Sequence, residues 1–245
     1  MVALIISVAS VQAQKSQVIA HRGYWKTAGS AQNSITSLQK ADSIHCYGSE
    51  FDVWLAKDNK LVVNHDPVYK MKYMEYSKGD ALTGLKLSNG ENLPSLQKYL
   101  EAGKKCNTKL ILELKAHNSK KRETKAVQEI LAMVKKMGLE DRMEYITFSL
   151  HAMKEFIRLA PAGTPVFYLN GELSPKELKD LGAAGLDYHM GVIKKHPEWI
   201  KEAHDLGLKV NVWTVDKAED MKWLIDQKVD FITTNEPIVA QDMLK

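Results

Sequence analysis

From Gln17 onward, short β-branched and aromatic runs alternate with longer amphipathic stretches, and this alternation limits the possible folds more than any other feature. The runs at 18–21, 49–53, 109–114, 144–148, 165–169, 186–189, 209–214 and 230–234 read as strands. Between them, apolar residues recur at helical spacing. Val127, Ile130, Leu131 and Val134 fall at i, i+3, i+4 and i+7 with lysines opposite, and Met153, Phe156, Ile157 and Ala160 repeat the pattern. The stretches after Ser174, His196, Asp216 and Asn235 open with a cap residue or a proline near the first turn. Strand–helix alternation at this length predicts the α/β class and a (β/α)8 TIM barrel. An open doubly wound sheet is the alternative, but no glycine-rich phosphate loop follows the first strand.

One run breaks the alternation. Lys60–His65 follows Val53 too closely for a crossover helix, so a turn at Asp58-Asn59 should fold it back as an antiparallel hairpin on the second strand. That turn would pair Leu55 with Val62 and Asp52 with His65. The stretch 67–92 has no regular pattern but carries Tyr69, Met71, Tyr73, Met74 and Tyr76. It reads either as a surface insertion with its own small cluster or as a lid over the barrel mouth.

The charge balance, 34 − 30 = +4, is scattered along the chain apart from short runs such as Lys120-Lys121-Arg122. No basic stripe marks a nucleic-acid partner. Val2–Val11 is almost wholly apolar, too short to span a bilayer, and fits the core of a secretory signal peptide, although no Lys or Arg precedes it. The reading is a signal over 1–13, one barrel domain over 14–245 and a periplasmic or secreted location, or a cytoplasmic one if the segment is not a signal. No stable membrane insertion is expected. Cys46 and Cys106 precede neighbouring strands, so a disulfide is geometrically possible in an exported protein.

In such a barrel the strand C-terminal ends converge on one face. The first strand ends in His21-Arg22-Gly23, the second carries Glu50 and Asp52, and the third carries Glu113 and Lys115. A period of two aims Glu50 and Asp52 to one side, and Glu113 and Lys115 likewise. Three carboxylates crowded onto two strands repel one another, and a hard divalent cation, Ca2+ or Mg2+, relieves that repulsion. His21 and His65 border the cluster and can serve as acid and base. Arg22 and Lys115 can hold an oxyanion. Together these residues describe a metal-assisted phosphoryl-transfer site.

The motifs His21-Arg22-Gly23, Asn33-Ser34, Glu50–Asp58 and Leu61–Asp66 resemble the signature of the glycerophosphodiester phosphodiesterase family. Leu93-Pro-Ser-Leu96, Glu113-Leu-Lys115, Phe148-Ser149, Val212–Val215 and Ile232–Pro237 extend the likeness to the C-terminus. The resemblance implies a TIM barrel with a small insertion that hydrolyses small-molecule glycerophosphodiesters to glycerol 3-phosphate and an alcohol. It implies Glu50, Asp52 and Glu113 as metal ligands, His21 and His65 as the acid–base pair, Arg22 and Lys115 as phosphate contacts, and Trp213 as part of the substrate wall. Two departures stand out. Ala31-Gln32-Asn33 replaces the usual Pro-Glu-Asn, leaving Asn33 or Ser34 to cap the first helix, and the insertion after Asp66 lacks the usual Arg-Thr-Thr pattern. The alternatives are a phospholipase C- or D-like enzyme acting on intact phospholipids, and a diester-binding protein with impaired catalysis. His117, His151 and His189 also follow strand ends, where ordinary loop or cap roles are expected.

Overall fold

The computed structural model describes residues 15–245, so the expected signal segment lies outside the described residues. The chain runs β1 (Gln17–Ala20), α1 (Ile35–Ser43), β2 (Gly48–Leu55), β3 (Leu61–Val63), β4 (Val68–Tyr69), β5 (Lys72–Tyr73), α2 (Gly79–Thr83) and α3 (Leu96–Gly103). It continues through β6 (Lys109–Leu114), α4 (Lys120–Met137), β7 (Met143–Thr147), α5 (Leu150–Leu159), β8 (Val166–Tyr168), α6 (Pro175–Leu181) and β9 (Gly185–His189). The last elements are α7 (Met190–Lys195), α8 (Glu198–Asp205), β10 (Lys209–Trp213), α9 (Ala218–Asp226), β11 (Phe231–Thr234) and α10 (Pro237–Met243).

Strands β1, β2 and β6–β11 pair in parallel, and the β1–β2 and β1–β11 pairings close them into the expected eight-stranded barrel. Burial on both faces explains the near-continuous apolar runs: every residue of β2 is buried. Residues aimed outward, such as Tyr145, stack beneath the helices, with Tyr145 and Phe156 rings 4.4 Å apart. Residues aimed inward fill the barrel in layers. Ile19, Ile111, Ile146, Phe167 and Phe231 form an apolar plug, and two residues further along their strands stand His21, Glu113 and Thr233. The plug therefore supports the polar layer from below.

Serine side chains start several of the helices. Ser34, Ser119, Ser149 and Ser174 cap α1, α4, α5 and α6 through their side chains, each cap contributing about 1 kcal/mol. The departure at 31–33 therefore leaves the first helix properly started, by Ser34.

The hairpin forms, but in a different register from the expected one. Leu55 faces Leu61, Trp54 faces Val62, and Asn64 N donates to the Asp52 carbonyl, so Asp52 lies opposite Asn64 and not His65. The cause is a three-residue loop, Lys57-Asp58-Asn59, closed by Ala56 N bonding Lys60 O, with Asn59 left-handed at φ 66°. The expected register requires a two-residue turn at Asp58-Asn59. The insertion is also more ordered than expected. β4 and β5 form a small antiparallel ribbon, α2 follows, and Met74, Leu82, Leu87 and Leu93 pack with Trp54 and Val62. Cys46 and Cys106 are both buried free thiols, so the possible disulfide is not formed, and burial pushes the Cys46 thiol up to about 12.

Candidate active site

The strands bring the expected residues to one end of the barrel. His21, Arg22, Glu50, His65, Glu113 and Trp213 line a single cavity, with Ile146, Phe148 and Leu169 as its apolar wall. Asp52 and Lys115 complete the charge cluster: Lys115 Nζ lies 2.7 Å from Glu113 Oε1 and 3.2 Å from Asp52 Oδ1.

Oxygens of Glu50, Asp52 and Glu113 converge within 4.8 Å of one another, and all three residues are buried. Burial and then the charges of Asp52 and Glu113 push the Glu50 carboxyl well above the usual range. Burial and Asp52 lift Glu113 to about 7 against the pull of Lys115. Burial also pushes on Asp52, but Lys115, His65 and Arg22 outweigh it and hold that carboxyl low. The same neighbours keep Lys115 charged: burial pulls its ammonium down, yet Asp52 and Glu113 raise it. Three carboxylates thus face two fixed cations, and Glu50 Oε1 is buried with no hydrogen-bond partner. An oxygen-only set carrying excess negative charge and an unpartnered oxygen fits a hard divalent cation.

Each charged group is held by a neighbour. Arg22, left-handed at φ 56°, donates its backbone N–H to Glu50 Oε2 at 2.7 Å and its Nη1 to Gln32 Oε1 at 2.7 Å. Its Nε lies 3.7 Å from Asp52 Oδ2. Gln32, the unusual residue in the 31–33 triplet, therefore orients Arg22. Asn33 clamps Asp52 from two sides, donating Nδ2 to Oδ2 at 2.8 Å and accepting the Asp52 N–H at 3.1 Å.

The two histidines differ in setting. His21 Nδ1 bonds Asn235 Oδ1 at 2.8 Å, which leaves Nε2 toward the cavity, 4.0 Å from Glu50 Oε2. As Asn235 Oδ1 can only accept, the tautomer is assigned with the proton on Nδ1. Burial, helped by the charge of Arg22, lowers His21 to about 4. His65 is more open, with Nδ1 bonded to the exposed carboxylate of Asp66 at 2.7 Å, and burial also lowers it. It stands where the cavity meets a second cleft lined by Trp25, Lys26, Gln32, Asn64 and Tyr69.

Trp213 is half-buried, its ring edge-on to Phe148 at 5.5 Å and its Nε1 donating to Asp187 O at 2.9 Å. The three histidines that follow other strand ends have local hydrogen-bonding roles. His117 accepts from Leu55 N, His151 bonds Thr124, and His189 accepts from Gly191 N at the start of α7.

Asn33, Asn235 and Asp187 were not singled out for the site. The sequence offers Asn33 as a motif residue and a cap, and Asn235 as part of a motif. Asp187 sits mid-strand on β9, fully buried at the cavity, with Oδ1 unpartnered. Burial raises its carboxyl well above the usual range. Its only sequence signal is a carboxylate at an inward position of a buried strand.

A parallel barrel with buried acidic groups, two histidines and two cations at its C-terminal end defines a phosphodiester-hydrolase type of site. The chain belongs to the glycerophosphoryl diester phosphodiesterase family, whose model matches residues 21–239. It is similar to a glycerophosphodiester phosphodiesterase of Parabacteroides distasonis of known crystal structure. The two are 52% identical with a TM-score of 0.93, and the match covers 94% of this chain and 97% of that one. A curated glycerophosphodiester phosphodiesterase of Caldanaerobacter subterraneus is 27% identical over 238 residues, covering 91% of this chain and 95% of the relative. An Oleispira antarctica phosphodiesterase, solved in complex with sn-glycerol-3-phosphate, shares the fold at 22% identity and a TM-score of 0.80, over 94% of this chain and 97% of that one.

Proposed function

We propose that the protein hydrolyses glycerophosphodiesters to glycerol 3-phosphate and an alcohol, with one divalent cation, Ca2+ or Mg2+, held by Glu50, Asp52 and Glu113. The observation that carries this reading is the buried acidic cluster, with an unpartnered Glu50 oxygen, flanked by two histidines in different settings. When bound, the cation supplies Lewis-acid stabilisation of charge on the phosphate.

The chain's own groups do the rest. Arg22, fixed by Gln32, and Lys115 bind non-bridging phosphate oxygens and offset charge that grows toward the transition state. His21 is buried and neutral at physiological pH with Nε2 facing the cavity, so it takes the proton from the nucleophile. His65, supported by Asp66 at the junction with the second cleft, takes up a proton from solvent. As the imidazolium it delivers its Nε2 proton to the leaving alkoxide, and His21 returns its proton to solvent afterwards. Trp213, Phe148 and Leu169 give the glycerol carbons an apolar wall and keep bulk water off that side. The apolar segment Val2–Val11 supports export, which N-terminal sequencing of protein recovered outside the cytoplasm would check.

The test is a substrate panel of glycerophosphodiesters with choline, ethanolamine and glycerol headgroups, plus an intact phospholipid, with products identified by mass. Glycerol 3-phosphate from the soluble diesters is expected. Cleavage of the intact phospholipid alone, or no product from folded, metal-supplied protein, would replace this reading with one of its two alternatives.

A further inference from the structure

The insertion presents a surface that the hydrolytic site does not use. In the β4–β5 ribbon Val68 and Tyr73 are cross-strand partners and share one face, with side chains turned to solvent. Met71, at the tip, is 93% exposed, and Tyr76 lies 6.3 Å from Tyr73, ring to ring. Exposed apolar residues gathered on one small ribbon, while Met74 beside them is fully buried, are not scattered surface residues.

The tip is also held in a costly conformation. Its two turn residues, Lys70 and Met71, are both left-handed, at φ 45° and 65°. A two-residue turn of this kind is ordinarily made by Asn-Gly, which adopts it with little strain. Here a long cation and a long thioether occupy it, so the turn holds these side chains at some backbone cost. The ribbon does not collapse onto the barrel either. Met74 N bonds Pro67 O, Ser77 N bonds Tyr73 O, and Glu75 reaches back to Asn118 N and Arg122. These contacts anchor the base of the ribbon and leave its tip in water.

Charge selects the partner. Lys70 stands in the turn and Lys72 next to it, and neither pairs with a carboxylate among the described residues; Lys70 Nζ only leans over the Tyr69 ring, at 5.6 Å. The nearby acids are engaged elsewhere: Glu75 with Arg122, Asp66 with His65 and Asp80 with Lys60. Unpaired lysines around Met and Tyr match a surface with anionic phosphates above an apolar layer.

We propose that the β4–β5 tip docks the protein on an anionic lipid bilayer, with Met71 and Tyr73 entering the headgroup region. Tyr69 of the same ribbon lines the cleft that reaches His65, so docking there would bring the site close to the bilayer. This docking is peripheral and does not depend on which diester is cleaved.

Co-sedimentation of the whole protein with two vesicle types tests it: phosphatidylcholine alone, and phosphatidylcholine with phosphatidylglycerol. Binding is expected to the mixed vesicles only, and to weaken as salt is raised. Met71→Ser with Tyr73→Ser should lower partitioning about tenfold, and Lys70→Glu with Lys72→Glu should abolish it. Both variants should keep the wild-type melting temperature and turnover of a soluble diester, which separates this test from that of the hydrolytic site. Absence of wild-type binding to the mixed vesicles, equal binding to neutral ones, or unchanged binding by either variant overturns the proposal. So does concentration-dependent dimerisation that the Met71→Ser, Tyr73→Ser variant removes without any vesicle binding, because the tip would then be covered by a second copy.

Discussion

The two ends of the barrel both bury carboxylates, yet they treat them in opposite ways. At the lower end Asp230, next to β11, is buried and fully provided for. It accepts from Lys209 Nζ at 2.8 Å, from Val210 N at 2.9 Å and from His204 Nε2 at 2.9 Å. At the upper end Glu50 is equally buried but keeps one oxygen without a partner, and Asp52 and Glu113 crowd it. A carboxylate surrounded by donors stabilises the fold, whereas one left short of donors is held at an energetic cost by the rest of the structure. The difference separates the end that closes the barrel from the end where the chemistry is proposed.

The comparison can be broken by mutation. The largest effect is expected at the histidines: His21→Ala or His65→Ala should lower kcat on a glycerophosphodiester by roughly a hundredfold or more, with melting temperature little changed. Near-normal turnover in both variants would remove them from the chemistry. Next comes Asn33→Ala, which frees Asp52 without removing a carboxylate. It should cost about ten- to a hundredfold in metal affinity or activity, read as a shift in the Ca2+ or Mg2+ activation curve.

The lower end should show the reverse pattern. Asp230→Ala should destabilise by about 2 kcal/mol, the scale of leaving buried donors unpaired, while kcat in the folded fraction stays as in the wild type. Denaturant melts alongside kinetics would show whether the two ends separate in this way. A loss of kcat without a loss of stability would erase the distinction.

A further expectation concerns pH. His117 accepts from Leu55 N and donates to Lys115 O, so its neutral form is built in, and burial lowers it from 6.5 to about 4. Between those values the unfolded chain binds the extra proton and the native protein does not. Stability therefore falls as pH drops from 6.5 toward 4, by at most about 3 kcal/mol and by less for a partly exposed ring. Thermal melts across that window should show a shallower slope for His117→Gln than for the wild type. An identical slope would mean that other groups carry the acid sensitivity.

Much of this was legible before any coordinates because barrel strands are short, buried and regularly spaced. A period of two was enough to aim Glu50 with Asp52, and strand ends were enough to gather His21, Glu113 and Trp213. What escaped was information held by single backbone angles or by distant partners. The left-handed Asn59 shifted the hairpin by one residue, so His65 passes Asp52 instead of facing it. The tie between His21 and Asn235 spans almost the whole chain, and no local pattern encodes it. Asp187 lay hidden inside a strand because alternation shows that a side chain points inward but not which partners it lacks there. The ribbon within 67–92 was missed because its strands are two residues long, below what periodicity can detect.

The central claim is that the short-changed carboxylates of the upper end bind a divalent cation and those of the lower end do not. Calorimetric titration of Ca2+ and Mg2+ into metal-stripped wild type, Glu50→Gln and Asp230→Asn tests it most directly. The account predicts one site per chain in the wild type and in Asp230→Asn, and severe weakening in Glu50→Gln. Undiminished binding in Glu50→Gln, or no binding of either ion by folded wild type, would contradict it.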